Sequence, residues 1–224
     1  MIPALALAAA AVTAPVQLDS QIVIQRYART MLRLTAPKVL VFSYTVSQAG
    51  PTAIEQTHRI YRSGELVRDE TLLVDGAKQK TIRISRYRNR YTLSNLAPRL
   101  TEYTFLFEGA TRSGSTLQYA YKAVPNAPST NGFAIDGMVI DGKSFLPSLV
   151  RFHTVSAGAR GDGTVTFVPS GAYWVPQVVN IEATLAGKSA RERITFSGYR
   201  FPLRLPKSTF QGPRPLPSAT PPAF

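Results

Sequence analysis

The hydrophobic period of this chain changes once, from that of a helix to that of a strand, and does not change back. Between residues 20 and 34, Ile24, Tyr27, Ala28, Met31 and Leu32 recur at intervals of three and four, with Arg26, Arg29 and Arg33 on the other side. Asp19 or Ser20 is placed to cap this segment, and Pro37 to stop it. The spacing predicts one amphipathic helix of about four turns. From Val39 onward apolar and polar residues alternate. The alternating segments are joined by hairpin-length links such as Ser63-Gly64, Asp75-Gly76 and Ser113-Gly114. There is no β-α-β rhythm, and parallel strands need long crossovers. The chain is therefore constrained to an antiparallel meander with one helix ahead of it.

About ten short strands are expected between residues 39 and 199. They include separate pieces at 173–175 and 178–185, with a turn at 161–163. The expected fold is mainly β (α+β): a single, strongly curved antiparallel sheet forming an incomplete barrel, with the N-terminal helix on its concave side. No composition shift marks a linker, so residues 20–210 read as one domain. Beyond Pro202 the chain is Pro-rich, and residues 211–224, with Pro213, Pro215, Pro217, Pro221 and Pro222, are expected to be an extended or disordered tail.

Residues 1–14 form an apolar run of small residues ending in Val12-Thr13-Ala14. The run is well short of the roughly 20 residues that span a bilayer. It reads as a signal peptide, with the mature chain beginning between residues 9 and 20 and residing in the periplasm or outside the cell. Cysteine is absent, which removes disulfides, thiol nucleophiles, Cys-ligated zinc and a lipid-anchored N-terminal cysteine. With only His58 and His153, a multi-histidine metal site is not expected. Gly158, Gly161 and Gly163 lack the following helix and the lysine of a phosphate loop, and read as a hairpin turn. His153, Asp136 and a serine could be drawn as a triad, but no serine sits on a strand-to-helix elbow. The expectation is a monomeric, non-enzymatic protein without cofactor.

The net charge is +13 and the isoelectric point is near 10.3, so polyanions attract the chain. The densest basic run carries Lys78, Lys80, Arg83, Arg86, Arg88 and Arg90, with Tyr87 and Tyr91 among them. Alternation puts Lys80, Arg86, Arg88 and Arg90 on one face with Ile82 and Ile84, and Arg83, Ser85, Tyr87 and Tyr91 on the other. Lys80, Arg83, Arg86, Arg88 and Arg90 are candidates for contact with an anion or an anionic membrane surface. The alternative is a solvated strand whose arginine stems cover apolar neighbours. Export makes nucleic acid an unexpected partner.

A curled sheet has a concave face that must be filled, and one helix covers a sheet of this size poorly. An apolar groove is therefore expected, able to take an acyl chain. The apolar sets that would line it are Leu40, Phe42, Tyr44 and Val46; Tyr103, Phe105 and Phe107; Val179, Ile181, Ala183 and Leu185; and Ile194 with Phe196. The competing expectation is a filled core, in a polyanion-binding or structural envelope protein that works through its basic face.

The order of a leader, an amphipathic helix and a long meander of hairpins, with RIYRSGELVRDE at 59–70, YWVP at 173–176 and ARERITFSGYRFPLRLPKSTF at 190–210, resembles the periplasmic outer-membrane lipoprotein-sorting (lipoprotein carrier) superfamily. The resemblance covers most of residues 20–210. It implies a half-open barrel with a helical lid and an apolar cavity that shelters acyl chains. It also implies an exported protein with lipid or lipoprotein acyl chains as partners, and transfer through the periplasm as the fuller role.

Overall fold

The computed structural model describes residues 17–50, 53–86, 97–128, 132–156, 159–185 and 188–211. The expected leader, Arg88, Arg90 and the tail from residue 212 onward lie outside the described residues.

Helix α1, Ser20–Arg33, starts where Asp19 Oδ1 accepts a hydrogen bond from the Gln21 amide at 2.7 Å, and ends ahead of Pro37. Its buried side chains are Val23, Ile24 and Tyr27, whereas Leu32 is 88% exposed. The docked stripe is thus rotated from the one that periodicity suggests. At about 100° per residue, Leu32 lies half a turn round the helix from Val23, so both cannot face the sheet.

Eleven strands follow: β1 Val39–Ala49, β2 Ile54–Ser63, β3 Leu66–Val74, β4 Ala77–Arg86, β5 Tyr103–Ser113, β6 Thr116–Pro125, β7 Phe133–Asp141, β8 Pro147–Ser156, β9 Ala159–Ser170, β10 Tyr173–Leu185 and β11 Lys188–Arg200. They form one antiparallel sheet in the order β4-β3-β2-β1-β11-β10-β9-β8-β7-β6-β5. Two meanders, β1–β4 and β5–β11, are joined where β1 pairs with β11. The sheet is not closed, and β4 and β5 are its edges. Register shifts interrupt six of the ten strand pairings, and such bulges bend a strand and increase its twist. The result is an incomplete barrel. Among the described residues no helix is long and apolar enough to cross a membrane.

Two local expectations are corrected. Gly161 and Gly163 do not form a turn but lie inside β9. A Cβ on Gly163 would come within 2.4 Å of the Phe152 ring, so this glycine makes room for a side chain on the neighbouring strand. Residues 173–175 and 178–185 are not separate strands. β10 runs through Pro176, and a bulge between Pro176 and Val178 absorbs the residue that cannot donate to the ladder. The Tyr199 hydroxyl donates to the Pro176 carbonyl at 2.7 Å and holds the bulge. Past β11, Lys207–Phe210 makes one short 3-10 turn, and Arg68 on β3 donates to the Thr209 carbonyl at 2.8 Å.

The link from β7 to β8 is organised by Asp141. Its carboxylate accepts from the Lys143 amide at 3.2 Å and from the Ser144 amide and hydroxyl, each at 2.8 Å. Partial burial pushes its pKa up, but these hydrogen bonds outweigh burial and hold it below the ordinary 3.8. A depressed carboxylate stabilises the fold above its unfolded pKa, and that contribution is lost as pH falls through the lower folded value. Asp141→Asn should therefore reduce stability at neutral pH and flatten its decline below about pH 4 in acid titrations followed by circular dichroism. An unchanged acid limb would remove Asp141 from that role.

Candidate functional site

In an antiparallel sheet, residues paired across a ladder share a face. Following the pairings from β6 outward, Tyr119, Tyr121 and Ala123 share a face with Met138 and Ile140 on β7, Val150 on β8 and Val165 on β9. This is the face that α1 covers, and these residues form the buried cluster with Val23, Ile24 and Tyr27. Tyrosine hydroxyls fix the helix there. Tyr121 donates to the Ser20 carbonyl at 2.8 Å, Tyr119 accepts from the Leu18 amide at 2.9 Å, and Tyr27 donates to the Pro98 carbonyl. Burial pushes the Tyr27 and Tyr121 hydroxyls far above the usual tyrosine range, so they stay protonated.

The same face continues across β10 through Val179 and β11 through Ile194 and Phe196 to β1, β2, β3 and β4. The buried cluster around α1 contains no residue of β11 or β1–β4, and on β10 it takes in Trp174 and Val179. What remains is a groove of about 520 Å³. That is within the roughly 300–1,000 Å³ usual for small-molecule sites. Its floor is Leu40, Phe42, Tyr44 and Val46 of β1 with Ile194 and Phe196 of β11, extended by Ile60 of β2 and Val67 of β3. The rings pack on one another: Phe42 lies 5.9 Å from Phe196 and 5.4 Å from Tyr199, and Tyr44 lies 6.1 Å from Phe196. Phe42, Tyr44, Ile194 and Phe196 are nonetheless only half-buried.

The remaining lining is polar: Arg62 on β2, Asp69 on β3, and Arg83 and Ser85 on β4. Arg62 Nε donates to the Gly64 carbonyl at 3.2 Å. Asp69 is 2.8 Å from His58 Nδ1, and the His58 ring stacks on Tyr44 at 4.8 Å with the planes 1° apart.

Of the residues expected in an apolar groove, six are thereby brought together: Leu40, Phe42, Tyr44, Val46, Ile194 and Phe196. The others stand elsewhere. Tyr103, Phe105 and Val179 pack against the helix-covered cluster, Phe107 is 40% exposed with its ring 5.5 Å from Tyr121, Ile181 and Ala183 sit on β10 beside Gly161, and Leu185 ends that strand. In the basic run, Arg83 and Ser85 face the groove, while Lys80 and Arg86 alternate to the outer face. Ile60, Arg62, Val67, Asp69 and Ser85 were not foreseen. The tight links after Ser63 and Val74 carried the needed signal, because a short hairpin turn sets the register and so passes the inward face of β2 on to β3 and β4.

On the outer face, His153 and Asp136 pair at 2.7 Å, and Arg151 and Glu108 at 2.7 Å. Among the described residues there is no group of three histidine or acidic side chains placed to hold a metal ion.

No protein-family model matches the sequence, and no curated protein is similar to it. The fold is similar to several solved structures. A LolA superfamily protein from Nitrosomonas europaea is 12% identical, with 88% of this chain and 99% of that one covered and a TM-score of 0.45. An outer membrane lipoprotein-sorting protein domain from Vibrio parahaemolyticus is also 12% identical, with 86% and 97% covered and a TM-score of 0.45. A DUF1329 family protein from Desulfovibrio piger is 9% identical, with 85% and 96% covered and a TM-score of 0.49. The lipoprotein-sorting superfamily that the sequence resembles is thus among these neighbours. At such values the likeness carries no binding residue and no ligand across to this chain.

Proposed function

We propose that this chain is an exported, non-enzymatic carrier that binds the acyl chain of a lipid or lipoprotein in the groove over β11, β1 and β2. The observation that supports the reading is the uneven cover of one sheet face. The helix fills the half over β6–β9, whereas Phe42, Tyr44, Ile194 and Phe196 remain half-buried on the other half. Apolar side chains gathered on a concave surface and left partly open offer an acyl chain the burial that water denies it. Each methylene buried contributes about 0.8 kcal/mol, so part of a chain is enough for micromolar binding. In this reading the protein works as a monomer in the periplasm, and Lys80 and Arg86 on the outer face attract it to anionic membranes.

The test is native mass spectrometry of the full chain purified from its own envelope, together with displacement of N-phenyl-1-naphthylamine, a neutral apolar dye. A co-purified lipid mass and dye binding that long-chain ligands reverse are expected. A ligand-free mass together with no dye binding would overturn the proposal.

A further inference from the structure

The groove is not apolar throughout, and its polarity runs in one direction. Read along the pairings, one row passes from Phe42 on β1 through Ile60 on β2 and Asp69 on β3 to Arg83 on β4. The next passes from Leu40 through Arg62 and Val67 to Ser85. The aromatic floor therefore lies on β11 and β1, and polar groups enter from β2 outward, Arg62 on β2, Asp69 on β3, and Arg83 and Ser85 on the β4 edge, with Ile60 and Val67 between them. Neighbouring strands are about 4.8 Å apart, so the gradient extends over roughly 19 Å from β11 to β4. The charged side chains that line this part of the groove are Arg62, Arg83 and Asp69, two guanidiniums and one carboxylate. Asp69 is already engaged by His58 at 2.8 Å, whereas Arg83 is exposed and forms no ion pair among the described residues.

Resting on the carrier reading above, we infer that the groove takes a singly charged anionic amphiphile in one orientation. The chain lies over Phe42 and Phe196, and the carboxylate or phosphodiester head lies against Arg83 and Arg62. A guanidinium donates two parallel hydrogen bonds to such a head, and these charge-assisted bonds are stronger than neutral ones. A chain bound in reverse would place its anion on the aromatic floor, away from any cation of the site, and its methyl end among charges. Arg83 is thus a ligand group, distinct from Lys80 and Arg86, which its own strand turns to the opposite face.

The test uses displacement of N-phenyl-1-naphthylamine from the full chain by oleate, by methyl oleate and by inorganic phosphate. Oleate is expected to bind at least about tenfold more tightly than its ester. Arg83→Gln should lose most of that preference, weakening oleate far more than the ester, and Arg83→Lys should retain part of it. Lys80→Gln with Arg86→Gln should leave the preference intact. Phosphate alone should neither displace the dye nor weaken oleate. Equal binding of oleate and ester by the unaltered protein would overturn the inference while leaving the carrier reading in place. So would a preference erased by the outer-face pair, which would make it a property of general charge. Competition by millimolar phosphate would replace the amphiphile with a free-anion site. Failure of every ligand and of the dye would remove the carrier reading, and the inference with it.

Discussion

Tyr27→Ala is expected to cost about 3–5 kcal/mol in denaturant unfolding, the range for truncating a fully enclosed aromatic side chain. Tyr27 is 1% exposed, its ring meets Phe105 edge-on at 6.4 Å, and its hydroxyl is spent on the Pro98 carbonyl. Truncation would leave a cavity between helix and sheet and would strand that carbonyl without its donor. The helix is also the only described helical cover over the sheet's buried cluster, so its loosening should appear as faster amide exchange in β6 and β7. A cost below about 1 kcal/mol would mean that α1 lies on the sheet without belonging to its core.

Phe42→Ala should behave differently. Phe42 touches Phe196, Tyr44 and Tyr199, yet it is only half-buried and borders open groove. A side chain enclosed on one side forfeits less on truncation, so the cost should fall clearly below about 3 kcal/mol. The same change removes much of the surface on which a ligand chain would lie. It should weaken oleate and methyl oleate together, by roughly fivefold or more, because half of a phenyl group's burial is worth about 1 kcal/mol. The paired loss separates this variant from Arg83→Gln, which should weaken the anion far more than the ester. A full core penalty with no effect on either ligand would mean that the β1–β4 half is filled in solution. The polyanion-binding or structural reading would then replace the carrier.

The division into one helix and a meander was written locally. The apolar recurrence to Met31 and the acceptor at Asp19 define α1, and Asp75-Gly76 takes the two left-handed conformations, φ 48° and 77°, that a tight hairpin needs. Alternation also sorted Arg83 and Ser85 from Lys80 and Arg86, since successive side chains of a strand must point to opposite faces. What alternation cannot state is which face looks inward. That depended on β1 pairing with β11, which sets Tyr44 opposite Phe196 across most of the chain's length. The same long-range ladder decided that Gly163 yields space to Phe152 and that Pro176 rides on a bulge, whereas local rules read a turn and a strand end.

The position of the helix was decided later still. Leu40, Phe42, Tyr44 and Val46 are as apolar as Tyr103, Phe105 and Phe107, and nothing in either stretch tells which will lie beneath α1. The choice came from hydroxyl donors and acceptors that meet only in the folded molecule: Tyr119 with Leu18, Tyr121 with Ser20, Tyr27 with Pro98. The sequence by itself determined that a curled sheet would have one helix and too much apolar surface for it to cover. Tertiary structure decided which half stays open, because hydrophobic burial is non-directional and directional hydrogen bonds such as these distinguish one apolar face from another.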